Sequence, residues 1–224
     1  MKKLLAKASA LYNKARYRDA LVIAKKVLML DENNDEALFY VAHGLYYAHQ
    51  FRRSLQFWKR LEKICPTEPS LYLNMGACFE DLGETRQAIK NYKKELELYP
   101  VSGTALYNLG LLYFSAHKYK LAANYLERSY SQKNSVKACV SRLAYSYFKT
   151  GQSEKEQVLY EEFLQTNPND TWALNNLGSH LMGHGQYNRA LLRLKKAAQI
   201  DPADKLVAEN IRKIERILQR QTSL

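Results

Sequence analysis

An all-α array of helix-turn-helix repeats is the fold this sequence predicts, and three observations predict it. A motif recurs every 34 residues across 1–204: Asn176, Leu177, Gly178, Gly185, Tyr187 and Ala190 answer to Asn108, Leu109, Gly110, Tyr119 and Ala122, and to Asn74, Met75, Gly76, Gly83 and Ala88. Arg142, Leu143, Ala144 and Gly151 keep the same phase. Such a period marks a stacked repeat architecture. Within each repeat the apolar residues fall at helical spacing. One position, the eighth, holds a small residue every time: Ala8, Ala42, Gly76, Gly110, Ala144 and Gly178.

Each element follows from this pattern. The first helix carries apolar residues at repeat positions 4, 7, 8 and 11, as at Leu174, Leu177, Gly178 and Leu181, which places them on one face. The small residue at position 8 lets a neighbouring backbone approach. A turn follows near position 15, where Gly83, Gly151 and Gly185 stand. The second helix repeats the stripe at positions 20, 24 and 27, as at Ala190, Leu194 and Ala197. Pro66, Pro100, Pro168 and Pro202 share position 32, between one repeat and the next, where proline ends a helix.

These residues resemble the tetratricopeptide repeat family, whose helix-turn-helix units stack into a right-handed superhelix. The resemblance implies six units, 1–34, 35–68, 69–102, 103–136, 137–170 and 171–204, with 205–224 as a C-terminal capping helix. Leu206, Ile211, Ile214 and Leu218 are expected to form the apolar face of that cap. Trp58, at position 24, is expected in the core. Two residues depart from the pattern at position 20, Ser54 and Glu156. A glutamate facing the seam of a helix pair is odd, and Gln157 beside it suggests local wetness or a slight rotation of that helix.

Charge and cysteine usage bound the function. Lys and Arg number 34 against 22 acidic residues, a formal charge of +12. The excess sits mostly in repeats one, four and six and in the cap, not in a continuous stripe with stacking aromatics, which argues against nucleic-acid binding. Weak, salt-sensitive attraction to anionic surfaces remains compatible with it. No run of 18 apolar residues exists, so no transmembrane helix is expected. The N-terminal Met1–Ala6 stretch resembles a signal-peptide start, but Lys7, Lys14, Arg16 and Arg18 interrupt any apolar core. Cys65, Cys78 and Cys139 are odd in number and match no metal spacing, which reads as free thiols in a reducing, cytoplasmic setting.

The resemblance implies where function lies: positions 2, 5, 6, 9, 12 and 13 of the first helices line a concave groove. Position 6 reads Ala6, Tyr40, Asn74, Asn108, Arg142 and Asn176. Asparagine offers donors and an acceptor at fixed reach, so such a ladder can clamp a peptide backbone, or else solvate its own helices. Phe39, Tyr40, His43, Tyr107 and Tyr145 make the groove aromatic and suggest a partner segment with apolar anchors, or a self-association surface. The lysine pattern that holds acidic chaperone C-termini is missing: position 5 holds Leu5, Phe39, Leu73, Tyr107, Ser141 and Asn175.

Catalysis has little support. His180 and His184 are four apart on one helix, a spacing that suits a metal, but no third ligand is evident, so a structural role is preferred. No nucleophile–base pair, phosphate loop or cofactor motif stands out. The expectation is a non-enzymatic adaptor or assembly factor binding a peptide or protein segment in its groove. The alternatives are a self-assembling scaffold on an organelle or secretion complex and a basic nucleic-acid-associated repeat protein.

Overall fold

A computed structural model describes residues 1–132 and 137–222. Their regular structure is helical throughout: α1 (Lys2–Asn13), α2 (Tyr17–Leu28), α3 (Asp35–Tyr47), α4 (Phe51–Ile64), α5 (Leu71–Asp81), α6 (Thr85–Leu98), α7 (Gly103–Ser115), α8 (Tyr119–Ser131), α9 (Lys137–Lys149), α10 (Ser153–Thr166), α11 (Thr171–Gly183), α12 (Tyr187–Ile200) and α13 (Lys205–Thr222). The chain divides into two compact halves, Met1–Leu112 and Tyr113–Leu224. In the first, each helix from α1 to α6 packs on its successor; in the second, the same holds from α8 to α13.

One turn geometry joins the two helices of each pair. Position 15 is left-handed in all six: Ala15, His49 and His117 at φ 55, 58 and 56°, and Gly83, Gly151 and Gly185 at φ 73, 70 and 72°. Behind it, the position-16 amide returns to the position-11 carbonyl, as in Gln50 N to Leu45 O and Gln186 N to Leu181 O, both 2.9 Å. This is the Schellman closure, which satisfies carbonyls the helix end would leave bare. Glycine adopts it freely; Ala15, His49 and His117 adopt it against Cβ repulsion.

The small residue at position 8 is buried in every repeat. A Cβ on Gly76 would stand 2.4 Å from the Tyr92 ring, and one on Gly178 would meet Leu194 at 2.7 Å. Trp58 is fully buried, and Ser54 satisfies its own burial by donating to the Ala42 carbonyl at 2.7 Å. The stripe that α13 buries differs from the expected one. Val207, Asn210 and Ile214 are buried while Leu206 is 54 % exposed, so the face is rotated by one residue at its start. Asp204 sets that phase by accepting from the Leu206 and Val207 amides at 2.9 and 3.2 Å.

Helix starts show the same economy of polar groups. Asn34 caps α3 through Ala37 N at 3.0 Å, and Asp170 caps α11 through Ala173 N at 2.8 Å. Ser70, before α5, has φ 64° and makes no side-chain cap. Glu95 reaches across from α6 instead and accepts from Leu73 N at 3.2 Å. Position 27, small or apolar elsewhere, thus holds a buried carboxylate because a neighbouring helix lacks a cap. Burial raises its pKa above the ordinary 4.5.

Two outcomes follow. Replacing His49 with glycine relieves the left-handed strain and is expected to raise stability by about 0.5–1 kcal/mol in urea unfolding, less any lost packing against Phe51. The folded chain holds the Glu95 proton more tightly than the unfolded chain, so that contribution is full below pH 4.5 and is lost as pH rises through the raised value. From about pH 4 to about pH 8, Glu95→Gln should therefore gain stability relative to wild type, while Glu95→Ala loses about 1–2 kcal/mol at pH 4 and less as pH rises.

Candidate functional site

The sequence-selected residues fall in both halves and sort into three settings. In the first half, Phe39, Tyr40 and His43 belong to a cluster of rings from α1 to α4. Tyr12 meets Phe39, Tyr40 and His43 at 5.6, 5.4 and 5.2 Å between centroids, and Trp58 closes the floor against Phe39 and His43 at 5.6 and 5.2 Å. Tyr40 does not line an open surface: it is 7 % exposed and its hydroxyl donates to Glu36 at 3.1 Å. Its ring packs instead on Tyr12 of the preceding repeat. His43 is pressed into the same cluster, where burial lowers its pKa to about 4. Tyr17 and Tyr47 stack at 3.8 Å on its rim, with Tyr47 44 % exposed.

Asn74, Tyr107 and Asn108 also lie in the first half, each half-buried on α5 or α7. Asn108 bonds the Tyr92 hydroxyl, which in turn donates to Glu80 at 2.7 Å. That asparagine serves the preceding repeat, to which Tyr92 and Glu80 belong. In the second half, Asn176 gives one Nδ2 hydrogen to the Trp172 carbonyl at 2.7 Å, keeping its oxygen and second hydrogen for other work. Arg142 turns back to the Ala138 carbonyl at 3.2 Å.

The third setting is a cavity of about 480 Å³ between α9, α10 and α11, and it gathers what the sequence left scattered. Phe148 and Asn176 form its walls with Ser179; Gly151 and Gly183 leave it open; Ser153, Glu156, His180 and His184 line one side. Phe148 is 63 % exposed and continues through Tyr145, at 6.3 Å, to Phe114 and Tyr119, at 5.5 and 5.6 Å. Lys149 lies over both the Tyr145 and Phe148 rings. Tyr145 is therefore brought to the site, together with Asn176. The cavity owes its space to glycine: a Cβ on Gly183 would meet nothing within 4 Å.

Glu156 finds its reason here. Its carboxylate stands 3.3 Å from His180 Nδ1, with the two side chains 12 % and 5 % exposed. Burial raises the Glu156 pKa, the nearby His184 lowering it in part, while burial followed by His184 lowers that of His180. Ser153 Oγ lies 2.6 Å from His184 Nε2. Sequence spacing could pair His180 with His184, but Ser153 and Glu156 come from the preceding repeat. The displaced small residue at position 20 was the available signal.

Two family models described as tetratricopeptide repeat match residues 68–135 and 141–170. With the 34-residue phase and the helix pairs, these decide the family. The chain belongs to the tetratricopeptide repeat family. A third model, described as anaphase-promoting complex, cyclosome, subunit 3, matches residues 13–95 of this repeat chain. Anaphase-promoting complex subunit 6 of Arabidopsis thaliana is 25% identical over 143 residues, 62% of this chain and 26% of its own length. Protein O-mannosyl-transferase TMTC1 of Homo sapiens is 24% identical over 214 residues, 91% of this chain and 23% of its own length. The chain thus spans about a quarter of these relatives. Among solved structures, YrrB, a TPR protein with an unusual peptide-binding site, superposes with a TM-score of 0.67 at 18% identity, covering 83% of this chain and 96% of that one. Proteins of this repeat type serve as protein-interaction scaffolds, binding peptides or proteins. Among the described residues no helix is long and apolar enough to cross a membrane.

Because Gly183 stands at the open end of α11, filling the cavity is expected to leave the fold intact. Gly183→Leu should melt at or slightly above the wild-type temperature, gaining up to about 1 kcal/mol of helix propensity; differential scanning calorimetry checks it.

Proposed function

We propose that this repeat chain is a non-enzymatic adaptor that receives a peptide segment of a partner protein on the first-helix face of α9 and α11, with the cavity beside Phe148 taking one anchor side chain. The observation that carries this reading is the apolar run from half-buried Phe114 through exposed Tyr145 and Phe148, leading to a cavity that also holds the uncommitted oxygen of Asn176. Aromatic surface at low entropy cost supplies affinity, and the asparagine supplies a backbone contact. In the first half, Asn74 and the exposed Tyr47 ring form a further contact surface in this reading. The anchor is apolar or aromatic, since Phe148 and the two glycines form the mouth.

Self-association is a second reading, supported by Val158 and Leu192. Both stand at position 22 of second helices, on α10 and α12, and are 50 % and 66 % exposed. Sedimentation equilibrium distinguishes it: mass that rises with concentration and falls to monomer in Leu192→Glu favours that surface.

Selection of a random-peptide phage library on the wild-type chain tests the main reading. Selected peptides are expected to weaken by about tenfold or more, about 1.4 kcal/mol, on Gly183→Leu and on Phe148→Ala. Tyr40→Phe should leave them unchanged, since that ring is buried. Equal binding to wild type and both cavity variants overturns the reading.

A further inference from the structure

The histidine pair of α11 is arranged as ligands are, rather than as a satisfied surface pair. The two rings are stacked with centroids 4.4 Å apart and a 26° tilt. Each Nδ1 faces an acceptor: His184 Nδ1 lies 2.9 Å from the His180 carbonyl oxygen, and His180 Nδ1 lies 3.3 Å from the Glu156 carboxylate. The His180 carbonyl only accepts, so His184 Nδ1 carries the ring proton and its Nε2 presents a bare lone pair; an ionised Glu156 holds His180 in the same tautomer.

Both lone pairs turn to one atom. Ser153 Oγ is 2.6 Å from His184 Nε2 and 3.5 Å from His180 Nε2. A hydroxyl has one hydrogen. It serves His184 and leaves His180 Nε2, on a side chain 5 % exposed, with only that long contact. Two imidazole lone pairs sharing one proton concentrate negative potential at the place a cation would neutralise. Carboxylate and backbone carbonyl on the far nitrogens are the partners that orient metal-bound histidines and raise their basicity.

The geometry points to a divalent first-row transition-metal site, for Zn²⁺, Ni²⁺ or Cu²⁺, at His180 and His184 through their Nε2 atoms. Imidazole suits these ions, and a four-residue helical spacing presents two such donors to one centre. Tetrahedral bonds of about 2.1 Å set two donors about 3.4 Å apart, and the two ring centroids stand 4.4 Å apart here. Ser153 moves aside or adds its oxygen. No group of three His, Cys, Asp or Glu side chains converges among the described residues, so the remaining positions open to water in the cavity. His184 is exposed and gives the ion its entry. Binding is a property of this chain alone and stands whether or not a peptide docks beside Phe148.

Titration of Zn²⁺ into the chelator-stripped full chain, followed by calorimetry, is the test, with Co²⁺ absorption as a readout of coordination. One saturable site is expected, weakened by more than about tenfold in His184→Ala and in His180→Ala, and by about tenfold to a hundredfold in Glu156→Ala, which removes the orienting carboxylate. Cys65→Ser and His117→Ala should retain it. His184 is exposed, so its variant keeps the test valid if loss of buried His180 disturbs folding. Long-range nitrogen–proton NMR of the metal-free chain should show both rings protonated on Nδ1. Absence of saturable binding, binding that survives the double alanine variant, or rings protonated on Nε2 overturns the proposal.

Discussion

Close packing of a second-helix side chain on the small residue at position 8, across a left-handed turn, is the constraint on which each repeat depends. At the position-8 glycines Gly76 and Gly178 there is no room even for a methyl group: the first lies against the Tyr92 ring and the second against Leu194. The Schellman closure at position 15 returns the chain at the angle that makes this contact possible. Given both, the apolar stripes meet and helix is added to helix, with stability accumulating between neighbours. The three non-glycine residues at position 15 show how strongly tertiary packing enforces the geometry.

Departures from the repeat pattern carry the individuality of this chain. Glu95 occupies a position that is small or apolar in the other repeats and supplies the N-terminal acceptor that Ser70, in its left-handed conformation, does not. Ser54 replaces alanine and donates to Ala42, while Glu156 replaces it and meets His180. In each case a polar group in a packed seam is matched by one specific partner, as burial requires. Two of these pairs stabilise helix packing. The third lies in the wall of a cavity.

The two halves present different surfaces. The first concentrates rings from Tyr12 to Trp58, mostly turned inward, leaving Tyr47 as an exposed platform. The second keeps fewer rings but leaves Tyr145 and Phe148 open beside a polar-lined cavity. An interaction scaffold gains specificity from such contrasts, since apolar area supplies affinity and a few placed polar groups fix orientation.

By itself, the sequence determined the helix-turn-helix period, the small residue at position 8 and the place of each turn, because these repeat and every copy reinforces the others. It also placed Tyr145 and Asn176 among the groove candidates, and both lie at or beside the candidate cavity. The tertiary structure decided what depends on contacts between repeats: that Tyr40 is buried by Tyr12, that Val207 rather than Leu206 starts the packed face of α13, and that Ser153 and Glu156 stand beside His180 and His184. Periodicity fixes which face a residue occupies on its own helix. The neighbour it meets depends on side chains 24 to 31 positions away, whose reach and rotamer no single repeat encodes.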